Sequence, residues 1–295
     1  MPGEFDFIDW IQSQQRAGRL VQTPAGDDMA VLDWPAGELL LVGVDQVMDG
    51  VHFDSQIHSP RQIGKKVMNR NLSDCAAMAC LPAAAVVSVA LPRGCGLDYA
   101  RELYLGMKDA ADPFDCQIVG GDTGSWDGKL VCSVTVMGRC GGITPVLRSG
   151  AKPGDWIYVT GALGGSILGR HMDFVPRIKI ARELAGQYRL TAMLDISDGL
   201  SRDLGHLCRA SQVAAELQAA AIPIHDDARR LSLGDQIPPI EHALHDGEDH
   251  ELVFTSPDDI PQATRVGQVA DGSGIVIVQS GVARPLPVRA WEHRL

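Results

Sequence analysis

Residues 192–207 read AMLDISDGLSRDLGHL, and this stretch joins an apolar run to a cluster of carboxylates. Residues 192–194 are typical of a buried strand, and Asp195, Asp198 and Asp203 follow directly. Carboxylates that lie close together repel one another, which costs free energy unless a cation, a proton or open water relieves the repulsion. The stretch therefore predicts a strand followed by a helix, with a possible cation site where the two meet.

Aspartates recur at comparable places along the chain. Asp27 and Asp28 precede a strand-like run, Asp45 closes the run LLLVGVD, Asp74 lies in a helical pattern and Asp122 follows IVGG. A single Asp beside glycine is usually a turn residue or a helix cap. Several of them together favour Mg²⁺, which takes oxygen ligands and commonly completes its shell with phosphates. This pattern predicts metal-assisted phosphoryl chemistry.

The composition narrows the class of partner. The chain has 295 residues, and 26 basic against 37 acidic side chains give a formal net charge of −11. This balance argues against nucleic acid or an anionic membrane as the main partner, whereas bound metal ions would still permit an anionic small substrate. No run approaches the roughly 18 apolar residues of a membrane helix. We expect a cytoplasmic protein because no signal pattern is present and the seven cysteines form no CxxC pair.

Periodicity predicts a mixed α/β fold. Helical patterns cover residues 4–19, 60–81 and 97–112, and strand-like runs cover residues 83–91, 116–122, 129–140 and 156–161. The runs at 29–34 and 38–45 flank Pro35-Ala36-Gly37 and suggest a hairpin. The glycine-rich segment 141–155 predicts either a boundary between domains 1–140 and 141–295 or one long loop.

The sequence offers several candidate phosphate sites and excludes others. GxxxxGK[ST] does not occur, so the chain has no P-loop, and the nine histidines show no zinc spacing. GALGGS at 161–166 follows a strand and is a weak candidate for an anion cradle built from backbone N–H groups. Arg148 is the best candidate for a cationic phosphate partner, although a solvated surface arginine explains it nearly as well.

Taken together, the motifs resemble one family. GDDMAVL, VDQVMDGVHF, NLSDCAAMACLP, IVGGDT, RSGAKPGDWIYVTG, DISDGLSRDLGH and GEDHELVF occur in the order seen in thiamine-monophosphate kinases. These enzymes belong to the superfamily of aminoimidazole ribonucleotide synthetase and selenophosphate synthetase. The resemblance runs from about Phe5 to the last residues.

The resemblance implies an α/β fold of the α+β type with a two-domain, synthetase-like architecture. The N-terminal domain would bind ATP and Mg²⁺ and would form a dimer barrel through its mixed sheet, and the C-terminal domain would also be α/β. The implied reaction is direct transfer of a phosphoryl group from ATP to thiamine monophosphate, the last step of thiamine diphosphate biosynthesis, with several Mg²⁺ ions in a cytoplasmic homodimer. No side-chain base would be needed, because the acceptor phosphate, with a second pKa of about 6, is largely deprotonated near neutral pH.

The resemblance also implies the roles of individual residues. The implied Mg²⁺ ligands are Asp28, Asp45, Asp74, Asp122, Asp195 and Asp198. The implied ATP contacts are Gly121, Asp122, Arg148 and Ser197. The implied contacts with thiamine phosphate are His52, Glu248 and Trp291.

Three departures from the family pattern stand out. Gly43-Val44 replaces the hydroxyl residues usual before the first strand aspartate, the segment 164–177 is short, and His250 stands where tyrosine is usual. Two alternatives to the kinase are another ATP-dependent enzyme of the superfamily and a non-catalytic nucleotide-binding relative. A selenophosphate synthetase would need a reactive cysteine near the N-terminus, whereas the first cysteine here is Cys75.

Overall fold

The chain forms two compact units, each built on its own β-sheet. The computed structural model describes residues 4–15, 20–24 and 29–288. One unit comprises residues 1–75 and 80–142, and the other comprises residues 76–79 and 143–295. The predicted mixed α/β class is confirmed, and none of the helices within the described ranges is both long enough and apolar enough to cross a membrane.

The first unit contains a four-stranded sheet in the order β3-β6-β4-β5, in which only β4 and β5 run parallel. A separate two-stranded sheet joins β1 and β2. The elements are α1 (Glu4–Gln14), β1 (Val21–Thr23), β2 (Val31–Leu32), β3 (Leu40–Met48), α2 (Pro60–Ala77), β4 (Leu81–Pro92), α3 (Leu97–Ala111), a 3₁₀ turn (Asp112–Phe114), β5 (Gln117–Trp126) and β6 (Val131–Arg139).

The predicted hairpin over residues 29–45 is wrong. β2 pairs with β1, and β3 pairs with β6, so the two runs belong to different sheets. Asp45 and Asp122 also lie inside their strands rather than at the ends, since β3 continues to Met48 and β5 continues to Trp126. The sequence alternation continues past both aspartates, and pairing with distant strands extends each strand beyond the local break.

The two faces of β3 differ in what covers them. Asp45 shares one face with Gly43 and the fully buried Val47. The opposite face carries Leu40, Val42 and Val44, whose exposed fractions are 52%, 63% and 63%. We call this second set the β3 stripe. Within the described ranges, this apolar row lies on a sheet face that its own unit leaves exposed.

The N-terminus of α2 is fixed by a capping box. The Ser59 N–H donates to Gln62 Oε1 at 2.9 Å, and the Gln62 N–H donates to Ser59 Oγ at 3.3 Å. Pro60 follows at the first helical position, where its missing N–H and fixed φ are tolerated. The cap sets the start of the helix that carries Asp74.

The helices α2 and α3 cross with glycine at the contact. A Cβ on Gly64 would lie 2.1 Å from the carbonyl oxygen of Leu103, and a Cβ on Gly106 would lie 2.1 Å from that of Arg61. Each backbone thus occupies the space of a side chain on the other helix. Both glycines are needed for this close approach.

The second unit contains a seven-stranded sheet in the order β13-β12-β9-β11-β7-β10-β8, in which only β9 and β12 are parallel neighbours. Its strands are β7 (Trp156–Val159), β8 (Ala192–Asp195), β9 (Ala214–Gln218), β10 (Leu252–Ser256), β11 (Thr264–Ala270), β12 (Gly274–Gln279) and β13 (Val282–Pro285). Its helices are α4 (Ile178–Gln187), α5 (Leu200–Ser211), α6 (Asp226–Asp235) and α7 (Pro239–His245), with 3₁₀ turns at Ser166–Leu168, Arg170–Met172 and Ala219–Ala221.

The core of the second unit fixes where β8 ends and α5 begins. Leu200, Leu204 and Leu207 of α5 are fully buried and belong to one cluster with Ile157 of β7 and Val253 of β10. The spacing of these leucines places them on one side of the helix. The helix is therefore held against the sheet, and its first turn lies beside the end of β8.

Candidate functional site

Two loops of the second unit lie side by side beyond the end of the β8–β10 pair. The Ile196 N–H donates to the carbonyl of Glu251 at 2.7 Å, and the His250 N–H donates back to Ile196 at 2.8 Å. The Glu248 N–H donates to the carbonyl of Ser197 at 2.7 Å. We call residues 195–199 and 246–251 the paired loops. These bonds extend the antiparallel ladder past the strands.

The paired loops bring four of the predicted site residues together. Asp195 and Asp198 flank Ser197 on one loop, and Glu248 lies on the other, hydrogen-bonded to Ser197. A Cβ on Gly247 would lie 2.7 Å from the Ser197 carbonyl oxygen, so the approach of the two backbones requires glycine there. The motif DISDG and the motif DGED, about fifty residues apart in sequence, thus form one surface.

Two side chains that were not predicted as site residues join Asp198. Polar side-chain atoms of Asp198, Asp203 and His206 all lie within 4.8 Å of one another. The Asp198 N–H donates to Asp203 Oδ2 at 2.9 Å. Asp203 lies in α5, as the sequence predicts, but its carboxyl group turns back to the loop. The signal that could have identified both residues is their spacing on the first two turns of α5.

The carboxyl groups at this junction lie close enough to affect one another's ionisation. Burial, and then the charge of Asp195, raises the pKa of Asp203 to about 8. The backbone N–H groups of Asp198 and Ser197 lower this pKa by hydrogen bonding, whereas the charge of Asp198 raises it. A buried carboxyl group beside other carboxylates is harder to ionise, because its charge would be poorly solvated and would be repelled by its neighbours. The junction therefore suits a divalent cation, which prefers carboxylate oxygens as ligands.

Arg148 lies on the flank of α5. Its carbonyl accepts a hydrogen bond from Ser211 Oγ at 3.2 Å, and its neighbour Leu147 accepts one from the Met193 N–H at 2.9 Å. The pKa of His206 is lowered by burial and then by the charges of Arg209 and Arg148. The Arg148 guanidinium therefore acts on the same helix face that carries His206.

The glycine loop 161–166 does not form the anion cradle considered from the sequence. The Gly164 N–H donates to both oxygens of Asp249, at 2.9 and 3.1 Å, and the Gly165 N–H donates to Asp246 at 2.9 Å. Burial raises the pKa of Asp249 to about 7, although Gly164 and Arg170 lower it. The two amides thus already bind carboxylates, so this loop supports its own unit instead of a phosphate.

His250 packs under the paired loops. Its ring stacks on Phe174 with centroids 3.9 Å apart, and its Nδ1 lies 3.4 Å from Asp195 Oδ2. The side chain is almost fully buried. The histidine that stands in place of the usual tyrosine therefore still provides an aromatic ring, and this ring contacts Asp195.

The first unit brings two of its predicted aspartates close together. Arg70 Nε donates to Asp45 Oδ2 at 3.3 Å, and the Asp45 N–H donates to Asn71 Oδ1 at 3.2 Å. A Cβ on Gly43 would lie 3.7 Å from Asp74 Oδ2. Asp74 on α2 therefore faces the same side of β3 that carries Asp45. Arg70 was not predicted, and the only signal in the sequence is its helical spacing from Asp74.

Asp122 lies away from these two residues. Asp122 lies on β5, where it pairs with Ser88 of β4, at the opposite edge of the sheet from β3. Three strand spacings of roughly 4.8 Å therefore separate it from Asp45 by about 14 Å. Carboxylates that share one Mg²⁺ each lie about 2.1 Å from it. Asp45 and Asp122 of one protomer therefore cannot hold the same ion directly.

His52 lies in the turn after β3. Its Nδ1 accepts a hydrogen bond from the Met48 N–H at 3.1 Å. Asp28 and Trp291, which were also predicted, lie outside the described residues. The structure thus groups the remaining predicted residues by unit, with Asp45, Asp74, Asp122, Gly121 and His52 in the first and Arg148, Asp195, Ser197, Asp198 and Glu248 in the second.

A cavity of about 480 Å³ opens beside Gly121 and Asp122 in the first unit. Its walls are mainly apolar side chains from α1, α3, β4 and β5, including Tyr104, Met107 and Val87. A volume of this size with an apolar lining and a polar rim is typical of small-ligand sites. Asp122 lines the same cavity as these apolar side chains.

Comparisons with known proteins agree on one family. Residues 26–140 match the family described as AIR synthase related protein, N-terminal domain. The thiamine-monophosphate kinase of Rhodopirellula baltica is 39% identical over 92% of this chain and 91% of its own length.

Two solved structures extend the likeness to the fold. One, described as AaThiL complexed with AMPPCP and TMP, has a TM-score of 0.80 and 30% identity, over 99% of this chain and 97% of that chain. The other, a thiamine-monophosphate kinase from Stenotrophomonas maltophilia K279a, also has a TM-score of 0.80, with 32% identity over 93% of this chain and 96% of that chain.

Proposed function

Since the chain belongs to the thiamine-monophosphate kinase family, we propose that it transfers the γ-phosphoryl group of ATP to thiamine monophosphate and forms thiamine diphosphate. The paired loops carry this proposal. Asp195, Ser197, Asp198 and Glu248 form one surface there, where metal-bound nucleotide and acceptor can meet. The activity named for the relatives and the bound AMPPCP and TMP of one of them support the same reaction.

We propose Mg²⁺ ligands in both units. In the second unit, Asp195 and Asp198 would hold the cation, and the closeness of the polar side-chain atoms of Asp198, Asp203 and His206, all within 4.8 Å of one another, supports a cation there. In the first unit, Asp45, Asp74 and Asp122 would do so, with Asp28 as a further ligand. The distance between Asp45 and Asp122 supports more than one ion. When bound, these ions neutralise the phosphates that must approach one another.

The remaining residues bind and orient the two substrates. The apolar cavity beside Gly121 in the first unit would take the adenine of ATP. In the second unit, Arg148 and Ser197 are proposed as phosphate-binding residues. His52, Glu248 and Trp291 would hold thiamine monophosphate. No side chain needs to remove a proton, because the acceptor oxygen is already ionised near neutral pH. Rate enhancement then comes from alignment and from fixed charge.

The product assay is the direct test. Purified protein with ATP, Mg²⁺ and thiamine monophosphate should form thiamine diphosphate and ADP in equal amounts, detected by chromatography. The same mixture with a chelator in excess over Mg²⁺ is the control and should yield neither. Consumption of ATP without thiamine diphosphate would assign the chain to another reaction, and ATP binding without turnover would make it a non-catalytic relative.

We also propose a cytoplasmic homodimer that forms through the β3 stripe. The exposed row of Leu40, Val42 and Val44 is an unusual surface for a monomer. Monomeric proteins normally cover an edge strand or give it charged side chains, and they rarely expose large apolar patches. A second copy of the chain would bury this row against its own. All seven cysteines are free, which supports a reducing compartment.

Val44→Lys should convert the dimer to a monomer. The substitution places a charge in the centre of the β3 stripe, where a partner sheet would have to desolvate it. Light scattering after size exclusion should show half the mass of the wild type. Ile57→Lys is the matched control, because Ile57 is 74% exposed and lies outside the sheet. A Val44→Lys protein that kept the wild-type mass would place the interface elsewhere.

A further inference from the structure

Arg70 holds the aspartate that the first unit offers as a metal ligand. Its Nε lies 3.3 Å from Asp45 Oδ2, and the Arg70 and Asp45 side chains are 15% and 33% exposed. The neighbouring Asn71 fixes the backbone of the same residue by accepting the Asp45 N–H, and its own Nδ2 donates to the Val67 carbonyl at 3.0 Å. Helix α2 thus contacts both the side chain and the main chain of Asp45.

The same face of α2 carries more positive than negative charge. Lys66, Arg70 and Asp74 follow one another at intervals of four residues, so they share one face of the helix. Lys66 is fully buried. Two cationic side chains therefore accompany the carboxylates of Asp74 and Asp45.

Neither of the two residues that precede Asp45 on β3 has a side-chain oxygen that could bind a metal ion. Gly43 has none, although a Cβ there would keep an ordinary distance of 3.7 Å from Asp74 Oδ2, so a larger residue would fit. Val44 lies on the opposite face and is 63% exposed. The Arg70 guanidinium thus contacts the Asp45 carboxylate, to which a bound cation would also coordinate.

We propose that Arg70 competes with a divalent cation for the Asp45 carboxylate and thereby sets the concentration at which that cation binds beside it. The inference rests on the proposed kinase function, in which Asp45 is a metal ligand. A guanidinium next to the ligand repels an incoming divalent cation and competes for the same oxygen. The site therefore takes up its ion only when that ion is abundant, or when the phosphates of ATP add their own negative charge.

The test is a Mn²⁺ titration of the full chain without nucleotide, with free Mn²⁺ measured by electron paramagnetic resonance. Arg70→Met should tighten binding at this site by about tenfold, since the repulsion between a unit charge and a divalent ion a few ångströms away is lost. Arg70→Lys keeps the charge and should stay near the wild-type isotherm. Arg93→Met is the matched control, because Arg93 pairs only at the surface, with Asp127.

A double-mutant cycle locates the effect. In an Asp45→Asn background, Arg70→Met should no longer change Mn²⁺ affinity, because the carboxylate for which the two cations compete is gone. Arg70→Gln replaces Arg70→Met if circular dichroism shows that the latter does not fold. Unchanged or weaker Mn²⁺ binding in a folded Arg70→Met or Arg70→Gln protein would overturn the proposal, since a purely structural arginine predicts that result.

The outcome is separable from that of the product assay. If the wild type forms no thiamine diphosphate, the kinase function fails, while the isotherms still decide the role of Arg70. If the wild type is active and the isotherms of wild type and Arg70→Met coincide, only the role of Arg70 fails. An active Arg70→Met enzyme should also reach half its maximal rate at a lower Mg²⁺ concentration than the wild type.

Discussion

Asp122→Asn should lower kcat by about a thousandfold or more while the protein stays folded. The loss of one metal-binding carboxylate removes several kcal/mol of transition-state charge stabilisation, and each 1.36 kcal/mol is about a factor of ten in rate. Asp122 is exposed on β5, and within the described ranges no hydrogen bond to its side chain is found. Its replacement by an isosteric amide therefore costs the fold little.

The matched control for this variant is Asp127→Asn, just past the end of the same strand. The Asp127 side chain is 80% exposed and pairs with Arg93 at the surface, away from Gly121 and the cavity. Steady-state rates and melting temperatures of both variants, measured with saturating Mg²⁺ and ATP, separate catalysis from stability. A near-normal kcat for Asp122→Asn would remove Asp122 from the set of metal ligands.

Gly106→Ala should destabilise the first unit by about 3 kcal/mol, near the upper end of the usual cost of overpacking. The new methyl group would lie 2.1 Å from the carbonyl oxygen of Arg61 in the first turn of α2, and a backbone atom cannot move aside as the end of a flexible side chain can. The two helices would have to separate. Since α2 carries Arg70, Asn71 and Asp74, this separation should also weaken metal binding at Asp45.

Gly234→Ala provides the contrast for Gly106→Ala. Gly234 lies near the end of α6, and a Cβ there would meet nothing within 4 Å. Alanine should stabilise that helix by up to about 1 kcal/mol, because glycine is the poorer helix former. Urea denaturation followed by circular dichroism measures both changes. An unchanged midpoint for Gly106→Ala would mean that α2 and α3 can separate at no cost.

Local patterns predicted the elements well where each buries a regular face. The helical patterns at 60–81 and 97–112 correspond to α2 and α3, and the apolar run 192–194 lies in β8. The hairpin at 29–45 failed because strand partners are chosen over long distances. β3 pairs with β6, some ninety residues later, and no turn chemistry near Pro35 reports that choice.

The site residues likewise divide into those that the sequence predicted and those that it could not predict. Resemblance to a family supplied Asp195, Ser197, Asp198 and Glu248, and the paired loops explain why motifs so distant in sequence act together. Periodicity could not supply Arg70, because its contact with Asp45 joins a helix to a strand twenty-five residues away. The failure at the glycine loop has a similar cause: the carboxylates that bind its amides come from residues 246 and 249.

The ladder between the paired loops has a further consequence for how the second unit opens. The amide hydrogens of Ile196, Glu248 and His250 are bonded across the two loops. They should exchange with solvent slowly, at rates close to those of β8 and β10, since the ladder cannot open without disturbing both strands. Local fluctuation of the site and unfolding of this sheet edge then become one cooperative event. A substitution in the core beneath the site, such as one at Leu204, would consequently lower substrate affinity by weakening this sheet edge.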